Sequence, residues 1–377
     1  MMKKLGFFIF FDSFAMMLLG TIIVMSASST YSVFKFDSLF HLTNSHLVKV
    51  LIGLLLIMIF SAIPYGFYKK YSKLAIISIV FLLIATLIFA PNIKGAGRWI
   101  NLGIISFQPA DAAKLILIIH LAVLIEAKNE LISNFKQGYL YLFIWILLIS
   151  GLILIQPNIS NGLLVLATSL AILFVGGAKI KHILSSFLFC LFFGGTIAML
   201  FAHSRSRIMT FITSLHTGGD INIQVKQAIL GLGSGGLLGV GIGHSRQSNL
   251  FLPEAYGDFI FAILGEEMGF IGSILLLICF LTLFIAGLLI AKKTKDKFGQ
   301  LLAFGIIFSI IMYAFVNVAV SIGLVPTTGI PLPFISYGGT SLIFMCISIG
   351  ILINIALSNN LKEQIGSESK KPKEVRL

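Results

Sequence analysis

Long apolar runs recur from one end of this chain to the other, and they leave one kind of fold open. Stretches of about 18 residues or more with few charges are long enough to carry a helix across a hydrocarbon layer. Inside that layer every backbone N–H and C=O must be paired, which favours helices and closed barrels. The runs here do not alternate with period two, so they are not the strands of a membrane barrel. Only 11% of the 377 residues are charged, against about 25% in soluble domains, and mean hydropathy is +1.03. An all-α polytopic membrane protein is expected.

Ten spanning segments can be read: 7–27, 47–65, 73–91, 109–127, 138–156, 160–178, 182–202, 258–291, 299–322 and 335–357. They define a membrane domain over 1–358, interrupted by a long external loop at 203–257, and a polar tail over 359–377 expected to be disordered. Of the 27 Lys and Arg, 18 fall on the side shared by both termini and 8 on the other, with Lys114 inside a span. By the positive-inside rule both termini are cytoplasmic and the loop of 203–257 is external. The net charge of +13 thus follows topology, and a nucleic-acid partner is not expected. Cys190, Cys279 and Cys346 sit in apolar runs without metal-binding spacing and read as small buried hydrophobes. The first apolar segment is long and shows no small-residue cleavage site, so no cleavable signal is expected.

Four polar constellations break the apolar pattern. In Gly95–Ile118, Gln108-Pro109 marks a helix start. Asp111 and Lys114 follow three apart, on one face where they can pair. In Gln156–Gly162, the residues Asn158, Ser160 and Asn161 can either meet a polar head group or cap the next helix, the favoured role for Ser160. The third is the loop from Ser204 to Asp258, where Arg205 and Arg207 offer forked donors suited to phosphate. Its Gly233–Gly236 run lacks the Lys-Ser/Thr of a nucleotide loop and reads as a place of close backbone approach. Asp258 stands where this loop meets an apolar helix. Desolvation there should raise its pKa unless a cation offsets it, which is the setting of a general base. Glu266 and Glu267 follow in the same helix, with Glu267 turned away from Asp258, and pairing inside the bundle is expected of both. The fourth, Asn317–Ser341, has three prolines and several glycines, and should line the same external cavity as Asp258.

At these residues the chain resembles the SEDS family (shape, elongation, division and sporulation), best known through FtsW and RodA. The resemblance is carried by Gly-Arg-Trp-Ile, Gln108-Pro109, Lys114, Gln156-Pro157, GSGGLLGVGIGHSRQ, LPEAYGDFIFAILGEEMG and PTTGIPLPFISYGGTS. It runs from MSASS (Met25–Ser29) to about Asn360, and looks closer to the division branch than to the elongation branch. It implies ten spans, cytoplasmic termini, and polymerisation of lipid II alongside a class B penicillin-binding protein among divisome or elongasome proteins.

The family's essential aspartate falls on Asp258. With Asp258 as catalytic residue, the expected substrate-binding set is Arg98, Gln108, Lys114, Glu254, Arg205, Arg207 and Ser336. No organic cofactor is implied, while Asp258 could serve as a base or hold a divalent cation such as Mg²⁺ or Mn²⁺. The chain departs from the family at Asp111, where glutamate is usual, at Asn158, where aspartate is usual, and at Gly257, where threonine is common. A lipid II flippase and a non-catalytic scaffold activating a partner synthase are the alternatives.

Overall fold

The computed structural model describes residues 1–90, 97–101, 106–217, 222–252 and 255–368. It is a helical bundle: α1 (Met2–Phe36), α2 (His41–Ala62), α3 (Gly66–Phe89), α4 (Pro109–Lys128), α5 (Leu140–Ile155), α6 (Ile159–Val175), α7 (Ile180–Leu200), α8 (Ala202–Thr217), α9 (Ile223–Ser234), α10 (Ile260–Lys293), α11 (Lys297–Ser321) and α12 (Thr340–Glu368). Each expected span coincides with a helix. Among the described residues eight helical segments are long and apolar enough to cross a membrane, and the shorter α6 is apolar too. The remaining expected span, α4, is not among them: it carries Asp111, Lys114 and Glu126 and packs among α3, α6 and α11. Phe81, Ile88 and Phe192 are among many large apolar side chains facing outward, a surface that only a lipid environment satisfies.

Several boundaries differ from the sequence reading. α1 continues to Phe36, because nothing breaks it before Asp37 takes a left-handed cap conformation. The MSASS motif therefore lies within the helix, with Ser26 and Ser28 buried. The segment 203–257 is not a featureless loop, since it holds α8 and α9. α12 runs to Glu368, past the expected start of the tail at 359, and residues 369–377 lie outside the described residues. Ser160 falls inside α6, whose N-cap is Asn158, and no side chain caps it.

The two chain ends gather at one end of the bundle. Lys293 Nζ reaches Met1 Sδ at 2.5 Å, and Lys295 N donates to Asn359 Oδ1 at 3.4 Å. Asp258 sits at the start of α10, at the opposite end from Lys293.

A break in α10 organises that far end. At Gly269 the backbone leaves helical geometry (φ 67°, ψ −166°). The carbonyls of Glu266 and Glu267 then accept from Val240 N at 3.0 Å and Gly241 N at 3.1 Å. In return, Phe270 N and Ile271 N donate to Gly236 O at 2.9 Å and Leu237 O at 3.2 Å. The glycine-rich segment thus takes up four of the backbone groups at the break. This needs an approach without side chains: a Cβ on Gly239 would lie 2.1 Å from Glu267 O.

The two glutamates lock the segment from their side chains. Glu266 accepts from Ser245 Oγ at 2.5 Å, Arg246 N at 3.0 Å and Gln247 N at 3.3 Å. Glu267 accepts from Gly243 N at 3.1 Å and from Ser26 Oγ of the MSASS motif. Both are buried, and their role is to fasten the glycine-rich segment to α10 and α1.

Candidate active site

Asp258 lies two residues before α10, half-buried, in a cavity of about 160 Å³. Four parts of the chain build its walls. A small hairpin, β1 (Ile100–Asn101) with β2 (Ser106–Phe107), pairs Ile100 with Phe107 and brings Arg98 and Trp99 beside Gln108. Gln108 precedes Pro109 at the first turn of α4, as its sequence signature predicts. The start of α6 contributes Asn158 and Asn161, and α11 contributes Tyr313. The stretch between α11 and α12 adds Gly329, Pro331 and Tyr337.

The 256–258 and 330–337 segments are held in register by hydrogen bonds. Asn317 Nδ2 donates to Asp258 O at 2.8 Å and to Ile330 O at 2.7 Å. Ser336 Oγ donates to Gly257 O at 2.6 Å and accepts from Leu332 N at 2.8 Å. Tyr337 N donates to Tyr256 O at 2.9 Å. Thr340 Oγ1 accepts from Gln108 N at 3.2 Å and donates to Asp111 Oδ2 at 3.0 Å, joining α12 to α4 at the floor.

Charge converges on Asp258. Burial lowers the pKa of Arg98, the like charge of Arg207 lowers it further, and Asp258 pulls it back up. Burial lowers that of Arg207 too, again opposed by Asp258. The offsetting cations that the sequence reading left open are therefore two guanidiniums. Asn158 lines this space, and its Nδ2 is a buried donor without a hydrogen-bond partner among the described residues.

The expected substrate-binding residues divide. Arg98 and Gln108 line the cavity. Arg207 stands next to it and donates to Thr327 O at 3.3 Å. Lys114 is buried with its Nζ 3.7 Å from the centre of the Tyr313 ring. No Asp111–Lys114 ion pair forms at contact distance. Among the described residues the one salt bridge is Lys69–Glu126 at 2.6 Å. Asp111 turns to Thr340 and Lys114 to the ring, and only a longer-range attraction joins them. Ser336 is committed to backbone groups, Arg205 is exposed, and Glu254 lies outside the described residues. The sequence reading missed Tyr313, which donates to Asn161 Oδ1 at 2.6 Å. A lone Tyr four residues before Asn317 in an apolar run was the available signal.

Among the described residues no three His, Cys, Asp or Glu side chains cluster as a metal site. Two carboxylates line the cavity, Asp258 and Asp111, but Asp111 is buried and accepts from Thr340, so a divalent cation would rest mainly on Asp258, a setting in which Mg²⁺ relies on water and substrate phosphates.

This is a multi-pass membrane protein with a polar, carboxylate-bearing cavity at one end of its bundle. It belongs to the FtsW/RodA/SpoVE family, described as cell cycle proteins, whose family model matches residues 7–361. It is 36% identical over 343 residues to a probable peptidoglycan glycosyltransferase FtsW of Geobacter sp. strain M18, covering 89% of this chain and 92% of that one. It is 34% identical to stage V sporulation protein E of Bacillus subtilis strain 168, over 90% and 93% of the two chains. Its fold matches the crystal structure of RodA from Thermus thermophilus with a TM-score of 0.70 at 24% identity, covering 93% of this chain and 96% of that one. A structure described as a peptidoglycan synthase complex coordinating polymerization and crosslinking matches at a TM-score of 0.75 and 24% identity, over 93% and 97% of the chains.

Proposed function

We propose that this protein is a peptidoglycan glycosyltransferase that polymerises lipid II on the external face of the cytoplasmic membrane. Both termini are cytoplasmic on this reading, and the Asp258 cavity opens outward. The relatives named as glycosyltransferases support the activity. The observation that carries it to a mechanism is the meeting of Asp258, Arg98 and Asn158 in one cavity, with the Arg207 guanidinium beside it.

Asp258 accepts the proton of the acceptor GlcNAc 4-hydroxyl. That oxygen bonds to the anomeric carbon of the donor MurNAc with inversion, the bond from that carbon to the pyrophosphate oxygen breaks, and the polyprenyl pyrophosphate leaves as an anion. General-base help of this kind contributes about 10²–10⁴-fold. Arg98 and Arg207 stabilise the charge developing on the leaving group, while Asn158 and Gln108 are placed to hydrogen-bond sugar oxygens. A divalent cation, if used, would sit on Asp258 and supply further charge neutralisation to the pyrophosphate. The partner on this reading is a class B penicillin-binding protein, in keeping with the fold match to a peptidoglycan synthase complex that coordinates polymerization and crosslinking. Septal synthesis in cell division is the favoured setting.

The test is polymerisation of labelled lipid II by purified protein, with and without a transpeptidase-inactivated partner. Wild type should make glycan strands, and Asp258→Asn should bind lipid II yet make none. Full activity in Asp258→Asn refutes the base. Lipid II translocation without polymer identifies a flippase, and polymer that depends on the partner's own active site identifies a scaffold.

A further inference from the structure

A second cavity, of about 140 Å³, is lined by the same connection after α11 that lines the first, at Val325–Thr327 where the first has Gly329 and Pro331, and it differs from the first in character. Its walls are mainly apolar, with Phe211 of α8, Val225 and Ile229 of α9, and Val325 and Pro326 from the turn after α11, alongside the polar Ser214, Asn222 and Thr327. Among the described residues its one charged lining residue is Arg207, the same guanidinium that feels the field of Asp258 and Arg98. The order in space is a polar chamber, a cation, then an apolar slot. One of the five guanidinium N–H groups goes to Thr327 O, which fixes the side chain at the junction.

A ligand matching that order has a polar body, an anionic joint and an apolar stem. The slot is close in size to an engineered cavity of about 150 Å³ that stays dry and holds a benzene-sized group. It therefore suits a compact, branched five-carbon unit and not a long chain. Beyond it the outer surface of α9 is apolar, with Ile223 74% and Leu230 51% exposed. A chain leaving the slot past Ile229 would run along that surface towards lipid.

We infer that this slot is the subsite for the first isoprene unit of a polyprenyl pyrophosphate, with Arg207 on the pyrophosphate and the saccharide in the Asp258 cavity. The inference rests on the glycosyltransferase reading for its saccharide, but its binding step can be measured without catalysis. Specificity for an isoprenoid over a straight alkyl chain then arises in the slot, because a methyl branch fills space that a linear chain leaves empty.

The experiment is equilibrium binding to the full-length protein in nanodiscs, using farnesyl pyrophosphate, n-dodecyl pyrophosphate and inorganic pyrophosphate as probes. Wild type should bind the farnesyl probe at least about tenfold more tightly than the dodecyl probe, the scale on which apolar pockets read one methyl-sized group. Ser214→Phe, which fills the slot from α8, should abolish that preference, lowering farnesyl binding to the level of the dodecyl probe or below. Ile229→Trp, at a half-exposed wall position, should do the same, so a folding defect in one variant does not decide the matter. Equal binding of the two chains by wild type overturns the inference, as does a preference that persists in both variants with unchanged melting temperature. Lipid II polymerisation run in parallel keeps the two claims apart. Polymer without chain preference removes the slot alone, and preference without polymer removes the polymerase reading and leaves the slot.

Discussion

Glu266→Gln should loosen the glycine-rich segment by an amount the structure sets. Glu266 Oε1 accepts one backbone N–H, from Arg246, while Oε2 accepts the Ser245 hydroxyl and the Gln247 N–H. A glutamine keeps the shape but turns one of these oxygens into an NH₂ group. Whichever way the amide points, one backbone N–H then faces a donor, while the Ser245 hydroxyl can rotate to accept. The loss is one hydrogen bond to a charged group, about 1.5–3 kcal/mol. For a chain of 377 residues that is a fall in melting temperature of roughly 2–4 °C. Glu266→Ala removes all three bonds and should cost about 3–5 kcal/mol. The assay is thermal melting of the purified protein in detergent, with limited proteolysis between Leu237 and Gly243 as a local probe. Wild-type melting and wild-type protection in Glu266→Gln would refute the assignment of this carboxylate as the anchor.

Three further outcomes are expected. Gly239→Ala should be poorly expressed and destabilised by about 3 kcal/mol or more, because its Cβ would overlap Glu267 O at a φ of +82°; normal yield and melting would contradict the close approach. Asn317→Ala removes two donated bonds, to Asp258 O and Ile330 O. It should lose roughly 1–3 kcal/mol and most of the polymerase activity, measured by melting and strand synthesis. Gly329→Ala combines left-handed strain of about 1–2 kcal/mol with a methyl 3.5 Å from Asp258 Oδ2. Initial rates of lipid II polymerisation should fall roughly tenfold or more, beyond what the small stability change explains.

The membrane helices were legible because an apolar run long enough to cross lipid has few alternatives, and the Gln108-Pro109 helix start was legible from local backbone chemistry. Asp258 stood out because a carboxylate at the mouth of an apolar helix is costly. The partners of these residues were not legible. Tyr313 and Asn161 are 152 positions apart, and the Lys114 ammonium turns to an aromatic face that no spacing rule predicts. Ser336 looked like a substrate ligand because it lies in a glycine- and proline-rich motif, yet its hydroxyl braces backbone next to Asp258. α8 and α9 escaped notice because they are short and lie in a segment whose glycines and charges read as loop.

The reciprocal bonding at Gly269 also fixes an order of events during biosynthesis. Residues 236–241 are synthesised before residues 266–271, so their backbone groups must find water or other partners until α10 is in place. The outer rim next to the cavity is thus among the last parts to set, and a nascent chain stalled short of α10 would hold that rim open to water.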